Sequence, residues 1–239
     1  MTTPSFYPRG PYLIDNTPPD MPFPEVEYAL EEPNGLLAIG GDLHPQRILN
    51  AYRQGIFPWY SAHQPILWWS PDPRLVLFPE ELHVSRSMRK FMRQSQWNLT
   101  MDTAFEQVTH ACSLPRPGQP ETWLSPEMQD AYLELHRLGY AHSVEVWDEN
   151  EKLIGGLYGI AIGSVFFGES MFSFTTNASK FAFISFVEQI SGWGFKLIDC
   201  QVETTHLNSL GAANIPREKF ITFLDQWCSE PVPNKWNTK

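Results

Sequence analysis

A strand read over 164–173, a helix near 178–191 and a strand over 195–202 run in immediate succession. A strand, helix and strand in this order are able to form a right-handed parallel crossover, which would set the two strands side by side in one sheet. The pattern upstream fits such a sheet. Periodicity predicts a helix near 85–94, a strand near 97–101, helices near 102–112 and 126–138, a strand near 141–148 and a hairpin of strands over 152–162 and 164–173. Helices near 204–211 and 216–227 follow the last strand. Strands mixed with helices in this way imply an α/β or α+β fold.

The amino-terminal part obeys different rules. Seven prolines fall in the first 24 residues, which disfavours helix and central strand and predicts an extended arm laid over the surface. Leu36, Leu37, Ala38 and Ile39 lie between the turn signals Pro33-Asn34-Gly35 and Gly40-Gly41 and read as a short strand. A helix should follow, with Asp42 just ahead of it, Pro45 in its first turn, Ile48, Leu49 and Tyr52 as an apolar stripe and Gly55 as its stop. Residues 55–74, rich in proline and aromatics, read as a rigid connector. The expected organisation is a small α+β domain over 1–70, with its arm and connector, and a larger mixed-sheet domain over 71–239.

A net charge of −10 excludes a protein that coats nucleic acid through bulk charge, so any such contact must be local. Arg86, Arg89, Lys90 and Arg93 share one helical face, with Met88, Phe91 and Met92 opposite. That face is either a solvated helix surface or a phosphate-binding one. No leader pattern and no apolar run of membrane-spanning length is evident, and a cytoplasmic monomer without membrane contact is expected. Cys112, Cys200 and Cys228 are too few and too far apart for a disulfide framework, and the seven histidines form no close ligand cluster, so no metal is expected.

Two strands carry candidate chemistry. Alternation puts Asp199, Gln201 and Glu203 on one face of the 195–202 strand, with Ile198, Cys200 and Val202 on the other. A polar face near the carboxyl end of such a strand is a ligand site or the wet side of an edge strand. In the 164–173 strand Glu169 should share a face with Phe167 and Met171, and burial there requires a cation or donor. A ligand amine and the side chain of Lys180 are both candidates. Cys200, on its apolar face, reads as a buried structural cysteine. No GxSxG elbow or phosphate loop occurs, and Gln189–Gly194, although it matches Q-x-x-G-x-G, follows a helix and precedes a strand, the reverse of a coenzyme A loop.

Several strings then carry a resemblance: Glu32 to Leu43 (EPNGLLAIGGDL), Gly55 to Trp59 (GIFPW), Pro65 to Arg74 (PILWWSPDPR) and Ala141 to Trp147 (AHSVEVW). Gly168 to Ser173 (GESMFS), Asn177 to Lys180 (NASK), Leu197 to Gln201 (LIDCQ) and Ser209 to Ala212 (SLGA) continue it. Over roughly residues 32 to 220 the chain resembles the bacterial leucyl/phenylalanyl-tRNA protein transferases. The resemblance implies a small domain joined to a larger one with an N-acetyltransferase-like (GNAT-like) fold. It also implies transfer of Leu, Phe or, less readily, Met from charged tRNA to the N-terminal amine of proteins beginning with Arg or Lys, marking them for degradation by the N-end rule. The charged tRNA is the co-substrate and no cofactor is implied. The same resemblance assigns Asp199 and Gln201 to catalysis, Glu169 to the same polar site, Trp59 and Trp123 to the terminal adenosine, and Met171, Phe186 and Ile198 to the pocket for the transferred side chain; a carboxylate such as Glu169 is expected to bind the acceptor's cationic first residue. The basic helix would hold the tRNA stem. Rival readings are a coenzyme A-dependent acetyltransferase, a non-enzymatic RNA-binding module and a tRNA-dependent enzyme that extends cell-wall peptides.

Overall fold

The computed structural model describes residues 11–15, 17–61, 63–115, 124–231 and 236. Among these it contains two mixed sheets and seven helices. In chain order the elements are β1 (Tyr12–Ile14), β2 (Leu36–Gly40), α1 (Pro45–Arg53), β3 (Phe57–Pro58), β4 (Leu67–Trp69), β5 (Arg74–Leu77), α2 (Arg86–Gln94), β6 (Asn98–Met101) and α3 (Phe105–Ser113). They continue with α4 (Pro126–Arg137), β7 (Ala141–Trp147), β8 (Leu153–Ile162), β9 (Val165–Ser173), α5 (Ala178–Ser191), β10 (Leu197–Gln201), α6 (Thr205–Asn208), β11 (Ala213–Ile215) and α7 (Arg217–Trp227).

The smaller sheet has the order β1-β2-β4-β3, with β1 parallel to β2 and the other pairs antiparallel. Part of the proline-rich arm is thus an edge strand, the one strand position proline tolerates in its flanks. The connector expected over 55–74 is instead structured: it supplies β3, β4 and the start of β5, its short apolar runs too brief to stand out between prolines. The larger sheet runs β11-β5-β10-β9-β8-β7-β6. Its only parallel pair is β9 with β10, joined through α5, so the expected crossover pair forms. The helix expected over 204–211 is shorter, because Gly211 turns the chain at φ +101° and residues 213–215 join β5 as β11.

Each face of the large sheet is covered. Apolar residues of α5, among them Phe183, Ile184, Phe186 and Val187, pack with Phe166 and Ile198 on one face, alongside Met88 of α2. A Cβ on Gly155 of β8 would stand 2.5 Å from that of Ala178, so glycine lets α5 lie directly on the strand. On the other face Phe167 and Tyr158 pack with α3, α4 and α7, and one continuous core joins them to Tyr52 of α1 and Trp68 of β4. No helix among the described residues is long and apolar enough to cross a membrane.

Candidate active site

The site forms where β9 and β10 part. Their ladder pairs Leu197, Ile198 and Asp199 with Val165, Phe166 and Phe167, and beyond that β9 continues to Ser173 paired with β8 alone. Both strands are irregular at this level. The register of β9 against β8 shifts across Glu169, and that of β10 against β5 shifts across Cys200, after which Gln201 has φ +56°. An extra residue in a strand inverts the alternation that follows it. Met171 therefore packs with the α5 core and Phe172 with the opposite one, so Met171 does not share the face of Phe167 as alternation predicts.

Asp199 is completely buried, which for a carboxylate requires a cation. Arg74, at the start of β5, supplies it through a two-pronged contact, Nε to Oδ1 at 2.8 Å and Nη2 to Oδ2 at 2.7 Å. The guanidinium lies between the rings of Phe57 and Phe220, 4.8 and 4.7 Å from their centroids, and also donates to the Gly55 carbonyl. The backbone N–H of Gln201 donates to Oδ1 at 3.0 Å, and its side-chain Nε2 to Oδ2 at 3.3 Å. Two carboxylate oxygens offer about four acceptor positions, and here four donors fill them. Gln201 lines the cavity, and its side-chain carbonyl takes no part in these four bonds.

Glu169 meets neither a lysine nor solvent alone. Tyr52 of α1 donates to its Oε1 and Tyr132 of α4 to its Oε2, both at 2.5 Å. Of the two candidate partners, Lys180 is absent among its hydrogen bonds: Glu169 lies on the face of Phe167, as alternation predicts, and that face holds both tyrosines and not α5. The tyrosine oxygens are 2.9 Å apart, and with both protons committed to an ionised carboxylate neither is left to bridge them. Burial raises the Glu169 pKa to about 7, outweighing the lowering effect of the two hydroxyls. Burial, and then the charge of the same carboxylate, hold both tyrosines well above their ordinary value, as neutral donors.

A cavity of about 490 Å³ opens between the strands, a volume suited to a small organic ligand. Because the strands diverge, it touches both faces: Asp199, Gln201, Glu169 and the half-exposed Trp59 on one side, and Ile198, Met171, Phe166 and Leu157 on the other. Ile198 and Asp199 thus border one space while pointing opposite ways. Phe183 of α5 lines the wall, whereas Phe186 stands behind it, its ring 4.5 Å from that of Phe166. Cys200 also borders the cavity, and burial pushes its thiol well up, as suits an inert cysteine. Glu203 lies outside, accepting from Asn208 and Asn214. Trp123 falls outside the described residues.

Arg86, Arg89, Lys90 and Arg93 are all exposed on α2, with Met88 buried and Phe91 and Met92 partly so. Ser85 caps this helix by accepting from the Met88 N–H at 3.2 Å. Sequence reasoning missed Arg74, Tyr52 and Tyr132 as site residues. Tyr52 was visible only as one member of the α1 apolar stripe, and Arg74 as the end of a proline-rich string.

The chain is similar to known proteins over nearly its whole length. The family model for "Leucyl/phenylalanyl-tRNA protein transferase" matches residues 76–225, and that for its N-terminal domain matches residues 41–72. The leucyl/phenylalanyl-tRNA protein transferase of Pseudomonas syringae pv. syringae is 57% identical over 91% of this chain and 94% of its own. That of Stutzerimonas stutzeri is 56% identical over 91% and 96%, and that of Saccharophagus degradans 50% over 95% and 96%. Among solved structures, L-PGS from Bacillus licheniformis aligns over 57% of this chain and 48% of its own, with 9% identity and a TM-score of 0.40, too slight a likeness to bear on the site.

Proposed function

The chain belongs to the leucyl/phenylalanyl-tRNA protein transferase family and is an aminoacyltransferase, and from that premise we propose that it moves Leu, Phe or Met from charged tRNA to the α-amine of proteins beginning with Arg or Lys. The observation that carries the reading is the joining of an apolar wall and a two-carboxylate polar wall in one cavity at the parting of β9 and β10. Two parallel strands that separate at the site also support an N-acetyltransferase-like second domain, over 71–239, after a smaller one over 1–70. The protein then acts as a cytoplasmic monomer that marks its acceptors for degradation by the N-end rule.

The reaction is aminolysis of an ester already activated by charging, so no metal, cofactor or enzyme nucleophile enters the scheme. A free α-amine has a pKa of about 7.7–8.0, which leaves an appreciable neutral fraction near pH 7. Orientation of the two reactants contributes on the order of 7–11 kcal/mol in favourable cases. Gln201 supplies it here: Arg74 fixes Asp199, Asp199 holds the Gln201 amide, and the Gln201 carbonyl accepts from the attacking amine and from the ammonium it becomes. Asp199, its acceptor positions filled, positions Gln201 and takes no proton itself; the ammonium's proton passes to the departing ribose oxygen as the acyl C–O bond breaks and the new C–N bond stays. Trp59 and Trp123 stack the terminal adenosine, and Met171 and Ile198, with Phe186 behind them, bound the side-chain pocket. An apolar pocket separates hydrophobic side chains by only about 1–3 kcal/mol per methylene, which suits a donor range of Leu, Phe and Met.

Glu169 recognises the cationic first residue of the acceptor. A charged hydrogen bond is worth about 1.5–3 kcal/mol, so Glu169→Gln is expected to reduce the kcat/KM preference for an Arg-initiated over an Ala-initiated peptide roughly ten- to hundredfold. The sign of the pH effect follows from a pKa of about 7: the carboxyl is neutral below it and charged above. The wild-type preference should therefore rise between pH 6 and 8, while that of Glu169→Gln stays flat. The α-amines of the two peptides titrate alike and cancel in the ratio. An unaltered preference in the variant would remove Glu169 from acceptor recognition.

The exposed cations of α2 hold the tRNA through its phosphates. Reversing the charge of Arg86, Arg89, Lys90 and Arg93 together is expected to raise the KM for charged tRNA and to flatten its salt dependence, by about one unit of log–log slope for each phosphate no longer neutralised. A normal slope would exclude this face. The function itself is tested by offering labelled Leu-tRNA with an Arg-initiated peptide and with the same peptide acetylated at its N-terminus. Label should appear on the free peptide only; binding of tRNA with no transfer would favour an RNA-binding module.

A further inference from the structure

The chemistry described above gives no role to His206, a polar group of the cavity. His206, on α6 just after β10, lines the same cavity as Phe183, Ile198 and Leu207. Its Nε2 is buried and has no hydrogen-bond partner among the described residues. A buried imidazole nitrogen without a partner costs free energy that a ligand group can recover. Burial, and then the charge of Lys180 on α5, lower its pKa, so the ring is held neutral with one acceptor nitrogen, which is Nε2 in the tautomer protonated at Nδ1.

On the reading that this cavity takes an aminoacyl ester, the group nearest that nitrogen is fixed by connectivity. Besides hydrogen, the α-carbon carries three substituents: the carbonyl under attack, the side chain and the α-amine. With the carbonyl at Gln201 and the side chain against the apolar wall, the amine must also find a partner. Asp199 has no acceptor position left, and on the proposed reading the places on Glu169 that its two tyrosines leave open are taken by the cationic first residue of the acceptor. We propose that Nε2 of His206 accepts a hydrogen bond from the α-amino group of the transferred amino acid, making His206 a donor-binding residue that selects aminoacyl over plain acyl esters. The same bond keeps the donor's own amine away from the carbonyl to be attacked.

The test compares two donors that differ only at this amine, phenylalanyl-tRNA and a tRNA carrying 3-phenylpropionate, with one Arg-initiated peptide as acceptor. His206→Phe is expected to lower kcat/KM for phenylalanyl-tRNA about tenfold or more while leaving the 3-phenylpropionyl donor within about twofold of wild type. His206→Gln, whose carbonyl can accept, should recover part of the preference. Equal losses with both donors would mean that His206 only supports the wall, and no loss with either would mean that the amine is bound elsewhere; both overturn the proposal. Failure of the wild-type protein to transfer from phenylalanyl-tRNA would overturn the family activity instead, so the two ideas fail separately.

Discussion

Replacing Arg74 with Met is expected to destabilise the fold by about 3–5 kcal/mol and to abolish transfer. The cost arises because Asp199, with no exposed surface, would keep a buried charge without its cation. Arg74 also loses its place between Phe57 and Phe220 and its bond to the Gly55 carbonyl, which closes the turn after α1. Urea unfolding measures the loss directly. A second variant separates stability from chemistry. A buried ion pair contributes little more than apolar residues of similar volume, so Arg74→Met with Asp199→Leu should regain most of the stability and remain inactive, because nothing then holds Gln201. Asp199→Asn alone is a less clean experiment than its shape suggests, since it strands the Arg74 charge; its transfer rate has meaning only beside its unfolding curve. A single Arg74→Met variant as stable as wild type would show that the pair is not the cost-bearing element of the site.

Gln201→Gly should give the opposite profile, a protein of near-normal stability with transfer reduced about 10²- to 10³-fold in kcat, the loss typical of removing one preorganised polar group from a reacting centre. Gln201 occupies the left-handed region at φ +56°, where a non-glycine residue pays of order 1–2 kcal/mol. Glycine relieves that strain and loses a similar amount through chain entropy, so the two effects nearly offset. Single-turnover transfer from saturating charged tRNA reads the chemical step, and the KM for tRNA should hardly move. A strained backbone kept at a position that glycine would ease is expected where the side chain is used.

Long, strongly patterned elements were legible in the sequence. The helices at α2, α4, α5 and α7 and the strands β7, β8 and β9 lie within a few residues of where the sequence pattern puts them, the helices through their apolar faces and the strands as long apolar runs between turns. The parallel pair followed from order alone. Two features of the site did not. Its contacts join residues far apart in the chain, Arg74 to Asp199 across 125 positions and Tyr52 to Glu169 across 117, and no local pattern specifies such a partner. The bulges at Glu169 and Cys200 also shift the alternation from which facing side chains were inferred. Alternation therefore put Met171 with Phe167, whereas Glu169 does lie on that face and only its partners, two tyrosine hydroxyls from distant helices, were missed. Gly168 beside the bulge was the available hint, since glycine within a strand often marks one.

The central claim is that Arg74, Asp199 and Gln201 promote direct attack of the acceptor amine on the charged ester, with no aminoacyl group resting on the enzyme. The measurement that bears on it most directly is a rapid-quench single turnover with labelled Leu-tRNA and excess enzyme, run with and without an Arg-initiated peptide. Label should pass from tRNA to peptide with one rate, stay on the tRNA when the peptide is omitted, and never be recovered on the protein. Label bound covalently to the enzyme before product forms, at Cys200 or elsewhere, would contradict the account.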